Sequence, residues 1–509
     1  MPILTGSDLG EGLQVIHRPG VGDSSEWSTT GLFTERLLRM GDIGKLQQQV
    51  TIGTLPDDVL LKIFKRFVDE MYGRYDETSE EWRTLVHICQ RWRNLAFTYP
   101  YHLNLQLFCK PPWRSVKKML DIWSELPIFI YAWDHPDQKA KYEVAAALEL
   151  NHRVSRIYFL KTSDSAWDTF VPLMQQPFPA LTHLCVLPYG TIKDPISRSF
   201  LGGSAPFLRD LILNGVPFPA LPELLLSTTN LVRLSYQNIP PSGYISPQAM
   251  VTSLSGLTRL ESFSLTFLPP RSLPDMAIHI PPPHTRILLP ALTLLRYRGV
   301  PEYMEDFVAQ IDAPSLESME ITLLHREVLV VSQLAVFFRH ADKLSLIDRA
   351  KVTFEGDRIS VNLSQELDEV KTLTLNLTCY ERELRFSYLA QFCALCLPTL
   401  SPFERLDICV PYSPWTVTWE DVIDDPDPQW LELLRPFNTV KDLCLHKYTA
   451  PRVAQTLRGL PAERVMEVLP ALENVFISDL EAFGPVRDVI SEFADARQLS
   501  GRPVSIYYR

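Results

Sequence analysis

Two cysteines three residues apart, in Cys393-Ala394-Leu395-Cys396, are the first place to look for metal chemistry. A structural zinc needs four ligands, and here there is neither a second such pair nor a nearby histidine, so a buried place within an apolar helical run is expected. Gly10-Glu11-Gly12 starts like a dinucleotide fingerprint, but Val15 stands where the third glycine belongs and no strand precedes it. Glu420, Asp421, Asp424, Asp425 and Asp427 offer oxygen ligands for calcium. They lack the turn glycine of a calcium loop and carry Pro426 and Pro428, which suits a solvated loop before a helix at Trp430. None of the 11 histidines forms the His-Glu-x-x-His spacing of a metalloprotease, and His87 and His183 sit beside apolar anchors as packed or surface imidazoles. There is no Gly-x-Ser-x-Gly elbow and no glycine loop for a phosphate. The expectation is no catalytic residues, no metal and no cofactor, hence no enzyme; a hydrolase would have to assemble its site from residues far apart in the chain.

Composition points the same way. The chain has 509 residues, 46% hydrophobic and 21% charged, which is ordinary for a folded protein with two to four domains. A net charge of −11 gives no overall positive field to attract nucleic acid or anionic lipid. Eight cysteines, mostly within apolar runs, read as buried thiols of a reducing compartment. The start of the sequence has neither a cationic nor an apolar leader, and prolines interrupt the longest charge-free stretch, 234–258, so neither secretion nor a membrane span is expected. Cytoplasm and nucleus both fit.

The elements come from periodicity. Residues 1–50 read as a mobile arm, holding six of the 21 glycines before residue 33 and a weak helical pattern over 33–49. Residues 51–100 form a compact apolar module and 101–150 a helical bridge, with helices expected over 113–125 and 137–150. From Val154 a unit recurs: apolar, two variable, apolar, one variable, apolar. Its first anchor falls at Val154, Leu181, Leu208, Leu231, Leu260, Leu292, Leu316, Ala341, Val370, Phe403, Val440 and Leu472, at intervals of 23 to 37 residues. Helical patterns lie between, at 302–311, 331–341, 382–397, 450–457 and 486–496. Strands joined through helices return in the same direction and must run parallel, so an α/β solenoid over 151–509 is expected. Each repeat buries about three anchors worth roughly 1.5–3 kcal/mol apiece, against about 1–2 kcal/mol of backbone entropy per ordered residue, so one repeat cannot fold alone. Stacking leaves a long surface whose outward side chains are free to bind protein.

The module at 51–100 carries the sharpest signal. In Leu55-Pro56-Asp57-Asp58 a proline stands at or near the first helical position and two acids occupy the first turn, both favourable at a helix start. Val59, Leu60, Ile63, Phe64 and Phe67 form one apolar stripe, with Lys62, Lys65 and Arg66 off it. A second helix is expected over 80–97, with Trp82, Leu85, Val86, Cys89, Trp92 and Leu95 on its apolar side. About 45 residues cannot bury so much aromatic and aliphatic surface alone, so another molecule must cover it. Two such helices can supply the roughly 1,000 Å² of total buried area that a specific interface needs.

Leu55-Pro56, Ile63-Phe64 and Ile88-Cys89-Gln90-Arg91-Trp92 resemble, in order and spacing, the motif of the F-box proteins. The extension Arg93-Asn94-Leu95-Ala96 and the run Leu103-Asn104-Leu105-Gln106-Leu107 are similar to fungal F-box proteins with irregular leucine-rich repeats. The recurring unit likewise resembles the leucine-rich consensus, although the Asn or Cys ladder position is mostly missing. One departure is the connection 68–81, longer than the family's usual link and read as a surface insertion; doubling a loop costs only about 0.6 kcal/mol. The resemblance implies docking on a Skp-type adaptor, and through it on a cullin scaffold and RING ubiquitin ligase, while the repeats select an unidentified target protein. By carry-over, Leu55, Pro56, Val59, Leu60, Ile63, Phe64, Trp82, Leu85, Cys89 and Trp92 lie at or beneath that contact. Two other readings stand beside it: a helical cap sealing the end of the solenoid, and a stand-alone repeat scaffold without a ligase.

Overall fold

In the computed structural model the described residues are 52–508 apart from 73–81, 111–117, 134–137, 269–285, 325–330, 344–347, 397–402, 410–428 and several shorter stretches. The arm over 1–50, the insertion after Tyr72, most of the helix expected over 113–125 and the acidic run from Glu420 to Asp427 therefore lie outside the described residues. The chain forms two compact units, residues 1–63 and 64–509.

The first helix is Asp57–Tyr72, with Asp57 and Asp58 in its first turn. Pro56 sits one position earlier than the first helical residue, its carbonyl accepting from Leu60 N–H at 3.0 Å. The single helix expected over 80–97 is instead two, Arg83–Ile88 and Gln90–Thr98, broken at an extended Cys89. The Cys89 thiol accepts from Trp92 N–H at 3.5 Å and so caps the second helix, work that serine or asparagine does elsewhere.

Among the described residues eighteen strands follow. β1 (Leu107–Cys109), β2 (Ile128–Trp133), β3 (Val154–Thr162), β4 (His183–Pro188), β5 (Asp210–Asn214), β6 (Arg233–Ile239) and β7 (Ser262–Phe267) come first. Next are β8 (Ile287–Leu288), β9 (Leu294–Gly299), β10 (Ile311–Asp312) and β11 (Ser318–Leu324). The last are β12 (Arg349–Glu355), β13 (Arg358–Gln365), β14 (Asp368–Thr378), β15 (Arg405–Cys409), β16 (Asp442–His446), β17 (Asn474–Ser478) and β18 (Ser505–Tyr508). Sixteen of them form one open sheet in the order β1-β2-β3-β4-β5-β6-β7-β9-β11-β14-β13-β12-β15-β16-β17-β18, while β8 and β10 pair separately. The architecture is mixed α/β with a large, mostly parallel sheet, and helices such as Pro301–Val308, Arg382–Cys396, Ala450–Arg458 and Pro485–Leu499 fill the crossovers.

The anchors of the recurring unit explain the register. Leu181, Leu208, Leu231, Leu260, Leu292 and Leu316 are all fully buried, as are the strand residues three and five positions on, for example Leu211 with Leu213 and Leu234 with Tyr236. Alternation then turns the residues two, four and six positions after each first anchor to the opposite face.

Two expectations change. The segment 101–150 is a helical bridge only in part: its helix Gln138–Leu148 matches the one expected over 137–150. It also supplies β1 and β2, which pair in parallel with each other, β2 pairing in turn with β3, so the sheet starts about 45 residues before Val154. Continuous apolar runs such as Ile128-Phe129-Ile130 hide the three-anchor spacing there. The sheet is also not parallel throughout. Beyond β11 the chain skips ahead to β12, then returns through antiparallel β13 to β14, which pairs in parallel with β11, before crossing to β15 beside β12. Connections 356–357 and 366–367 are too short for a helical crossover, which forces the reversal. The Ala341 anchor is buried, and its two strand positions, Leu344 and Leu346, lie outside the described residues.

Polar side chains tie neighbouring repeats together. Buried Tyr236 donates to the Gly243 carbonyl at 3.1 Å and accepts from Phe218 N–H at 3.0 Å. Gly243 has room for this only without a side chain, since a Cβ there would lie 2.6 Å from the Tyr236 hydroxyl. The Glu305 carboxylate, on helix Pro301–Val308, accepts from the Gln333 and Leu334 N–H groups at 2.7 and 2.9 Å, satisfying the open first turn of helix Ser332–Phe338. Near the end of the chain the fully buried Arg497 donates to the carbonyls of Leu469, Pro470 and Leu472 at 3.2–3.3 Å.

Candidate functional site

The ten residues singled out on the helices divide evenly. Within 52–63, Leu60 is buried, Leu55, Val59 and Ile63 are half-buried, and Pro56 is exposed. Within 64–100, Phe64, Trp82, Leu85 and Trp92 are buried and Cys89 is exposed. Phe64 packs on Trp92 with ring centroids 4.6 Å apart. Trp82 is covered by its own chain: its indole N–H donates to the Gln106 carbonyl at 3.2 Å, and its ring meets Trp123 edge-on at 5.0 Å. The expectation that a second molecule hides this whole apolar side is therefore corrected for Trp82, which Trp123 covers, and the sequence offered no periodicity linking the two. Apolar surface remains in water all the same: Ile88 is 47% exposed, and Phe97 is 43% exposed even though it stacks on Trp123. Large apolar groups exposed together on helices are a mark of interaction surfaces.

The outward face of the sheet is a second surface, and it carries order that the sequence reading passed over. The positions two residues after successive anchors are Arg156, His183, Asp210 and Arg233, register neighbours on β3 to β6. His183 Nε2 lies 3.0 Å from Asp210 and an Arg233 guanidinium 3.4 Å from the same carboxylate. Burial opposes ionisation of Asp210, but the hydrogen bond and charge of His183 and the charges of Arg233 and Arg209 outweigh it and hold the carboxyl below its usual range. His183 is thus one member of a charge ladder instead of an isolated surface imidazole. Repetition of charged residues at one phase of the unit was the available signal.

The same face changes chemistry along its length. At β2 and β3 it is aromatic, with Phe129, Tyr131 and Tyr158 packed together and Arg156 over the Phe129 ring at 5.8 Å. From β7 to β13 it is a carpet of hydroxyls and amides, among them Ser262, Ser264, Thr322, Thr374, Asn376 and Asn362. Arg296 pairs with Glu320 across β9 and β11 at 3.2 Å. Arg298, two residues on, is half-buried with its Nε enclosed and without a hydrogen-bond partner. Arg349 and Lys351 stand on β12, and Arg405 with Asp407 on β15.

The buried thiols among the described residues are held in their neutral form. Cys393 and Cys396 are fully buried in one helix, where desolvation pushes both thiols well up, as it does Cys109. Burial also raises Cys444 to about 12. Among the described residues no group of His, Cys, Asp and Glu could hold a metal ion, and no helix is long and apolar enough to cross a membrane. What the two surfaces can do is bind: one by apolar side chains at helix ends, the other by a patterned polar sheet face. No protein-family model matches the chain, and no curated protein is significantly similar to it in sequence.

Proposed function

We propose that this chain is the target-recognition adaptor of an SCF-type cullin-RING ubiquitin ligase. Residues 51–100 act as an F-box module that docks on a Skp-type adaptor, which links it to a cullin scaffold. The strands and helices that follow act as an irregular leucine-rich-repeat solenoid whose outward positions take a target protein. Such a subunit works in the cytoplasm or nucleus, performs no chemistry of its own and needs no cofactor, nucleic acid or membrane.

The observation that carries this reading is the ordered set Leu55-Pro56, Ile63-Phe64 and Ile88-Cys89-x-x-Trp92, in which Pro56 and Cys89 each stand exposed just before a helix begins. Exposed residues at helix starts are available to a partner, while Phe64 and Trp92 hold one another in place. The test is co-expression of the full chain with a Skp-type adaptor and affinity capture. Wild type is expected to bring the adaptor down, and Leu55→Asp combined with Pro56→Asp to weaken capture at least about a hundredfold, as loss of a central anchor does. Retention of the adaptor by the double variant would remove this interface from the account.

The cover of Trp82 by Trp123 and Gln106 favours a second reading, a stand-alone repeat scaffold in which the helices are a terminal cap. That scaffold is soluble alone, and purified adaptor is indifferent to it.

A further inference from the structure

We infer that the segment taken by the outward sheet face is an extended acidic peptide laid across β9, β11, β14, β13 and β12, an assignment that rests on the target-recognition reading above. The chain as a whole carries −11, so a local excess of cations runs against its overall charge. Such an excess stands at both borders of this stretch: Arg296 and Arg298 on β9, and on β12 Lys351, beside an Arg349 that already has a partner. Among the described residues the anions of this face are Glu320, already engaged by Arg296, and Glu355 at the end of β12, in register with Arg358 on β13. Asp407 on β15, beside Lys351, is engaged by Arg405. Arg298 is half-buried, and its Nε is enclosed and lacks a hydrogen-bond partner, so its guanidinium is poorly satisfied where it stands.

The floor suits a main chain. Ser318 and Thr372 share a hydrogen bond at 3.2 Å across β11 and β14, and Asn376 reaches Thr322 at 3.4 Å, so hydroxyls and amides line the path where aliphatic groups would reject a peptide backbone. Spacing decides between anions. Four strand intervals of about 4.8 Å separate β9 from β12, roughly 19 Å, or about six residues of extended peptide. A phosphoryl group needs cations converging on one point; cations at two borders fit several separate carboxylates.

The experiment is fluorescence anisotropy on the full chain with a labelled peptide of about ten residues alternating Glu and Ser, long enough to span both borders. Its comparators are the Gln-Ser peptide, a Ser peptide with a single phosphoserine, and an oligo-dT of equal length. The Glu-Ser peptide is expected to bind at least about tenfold more tightly than Gln-Ser, and to weaken steeply as salt shortens the range of charge attraction. Arg298→Gln with Lys351→Gln should weaken it about tenfold, with Arg298→Lys intermediate because the charge stays but the planar fork is lost. Equal binding of Gln-Ser, tighter binding of the phosphoserine peptide or oligo-dT, or an unaltered double variant would overturn the assignment. The peptide and salt comparisons need no variant, so they stand even if Arg298→Gln lowers the melting temperature. Adaptor capture separates the two readings: Arg298→Gln with Lys351→Gln should leave it intact, and Leu55→Asp with Pro56→Asp should abolish it while leaving peptide binding unchanged.

Discussion

On the sheet, an apolar residue at an anchor position finds a neighbour from the next repeat, and Leu208, Leu231, Leu260 and Leu292 vanish completely from solvent. On the helices before it the same residue types divide, with Phe64 and Trp92 buried against each other while Pro56, Ile88, Cys89 and Phe97 remain in water. The repeats are stabilised by contacts to themselves, so substitutions at their anchors register as lost stability. The exposed helix positions are less enclosed, although Cys89 caps a helix and Phe97 stacks on Trp123, and on the proposed function substitutions there should register chiefly as lost binding. The difference teaches that apolar content alone does not mark a candidate interface; apolar content left in water does.

That contrast can be broken in several ways, and the largest effect belongs to the anchors. Leu234→Ala leaves a cavity between β5 and β7 and should cost about 2–5 kcal/mol, seen as a lower melting temperature. At a temperature where the variant is folded, adaptor capture should persist; loss of capture would show that the two regions are not separable. A smaller cost is expected for Glu305→Ala, which strands the N–H groups of Gln333 and Leu334 at a partly buried helix start. About 1–3 kcal/mol is the ordinary penalty for such orphaned donors, and hydrogen exchange should localise the loosening to helix Ser332–Phe338. No change in exchange there would remove this tie from the account.

The smallest effect sharpens the outward face. Asp210 has a folded-state pKa below its ordinary value, so its contribution to stability is present above the usual carboxylate range and lost as pH falls through the folded value. Because the group is only half-buried, Asp210→Asn should cost no more than about 1 kcal/mol at neutral pH. Melting curves of wild type and variant should converge as pH drops below about 4. A constant difference across that range would mean that charge is not what Asp210 supplies to His183 and Arg233.

How far the sequence could be read depended on where each constraint acts. The three-anchor spacing is a local consequence of strands that present one face to a core, so anchors such as Leu181, Leu316 and Val440 could be identified without any long-range information. The break at Cys89 was not legible, because thiols seldom cap helices and the apolar stripe runs on past it. Nor was the reversal through β13, since its meaning lies in the pairing of β14 with β11 across some 50 residues, a long-range choice. Of the candidate site, the helix starts at Leu55-Pro56 were plain from proline and acid placement, whereas the cover of Trp82 by Trp123 depends on tertiary contact alone.

Cys89 offers the most direct test. It is exposed, whereas Cys109, Cys185, Cys393 and Cys396 are buried, so among the described cysteines it should be alkylated first under native conditions. With mass spectrometry assigning the labelled residue, saturating Skp-type adaptor is expected to slow labelling of Cys89 at least about tenfold, since a docked interface excludes reagent as it excludes water. Leu55→Asp with Pro56→Asp should restore the free rate. An unchanged rate for the wild-type chain in the presence of saturating adaptor would contradict docking at this helix start.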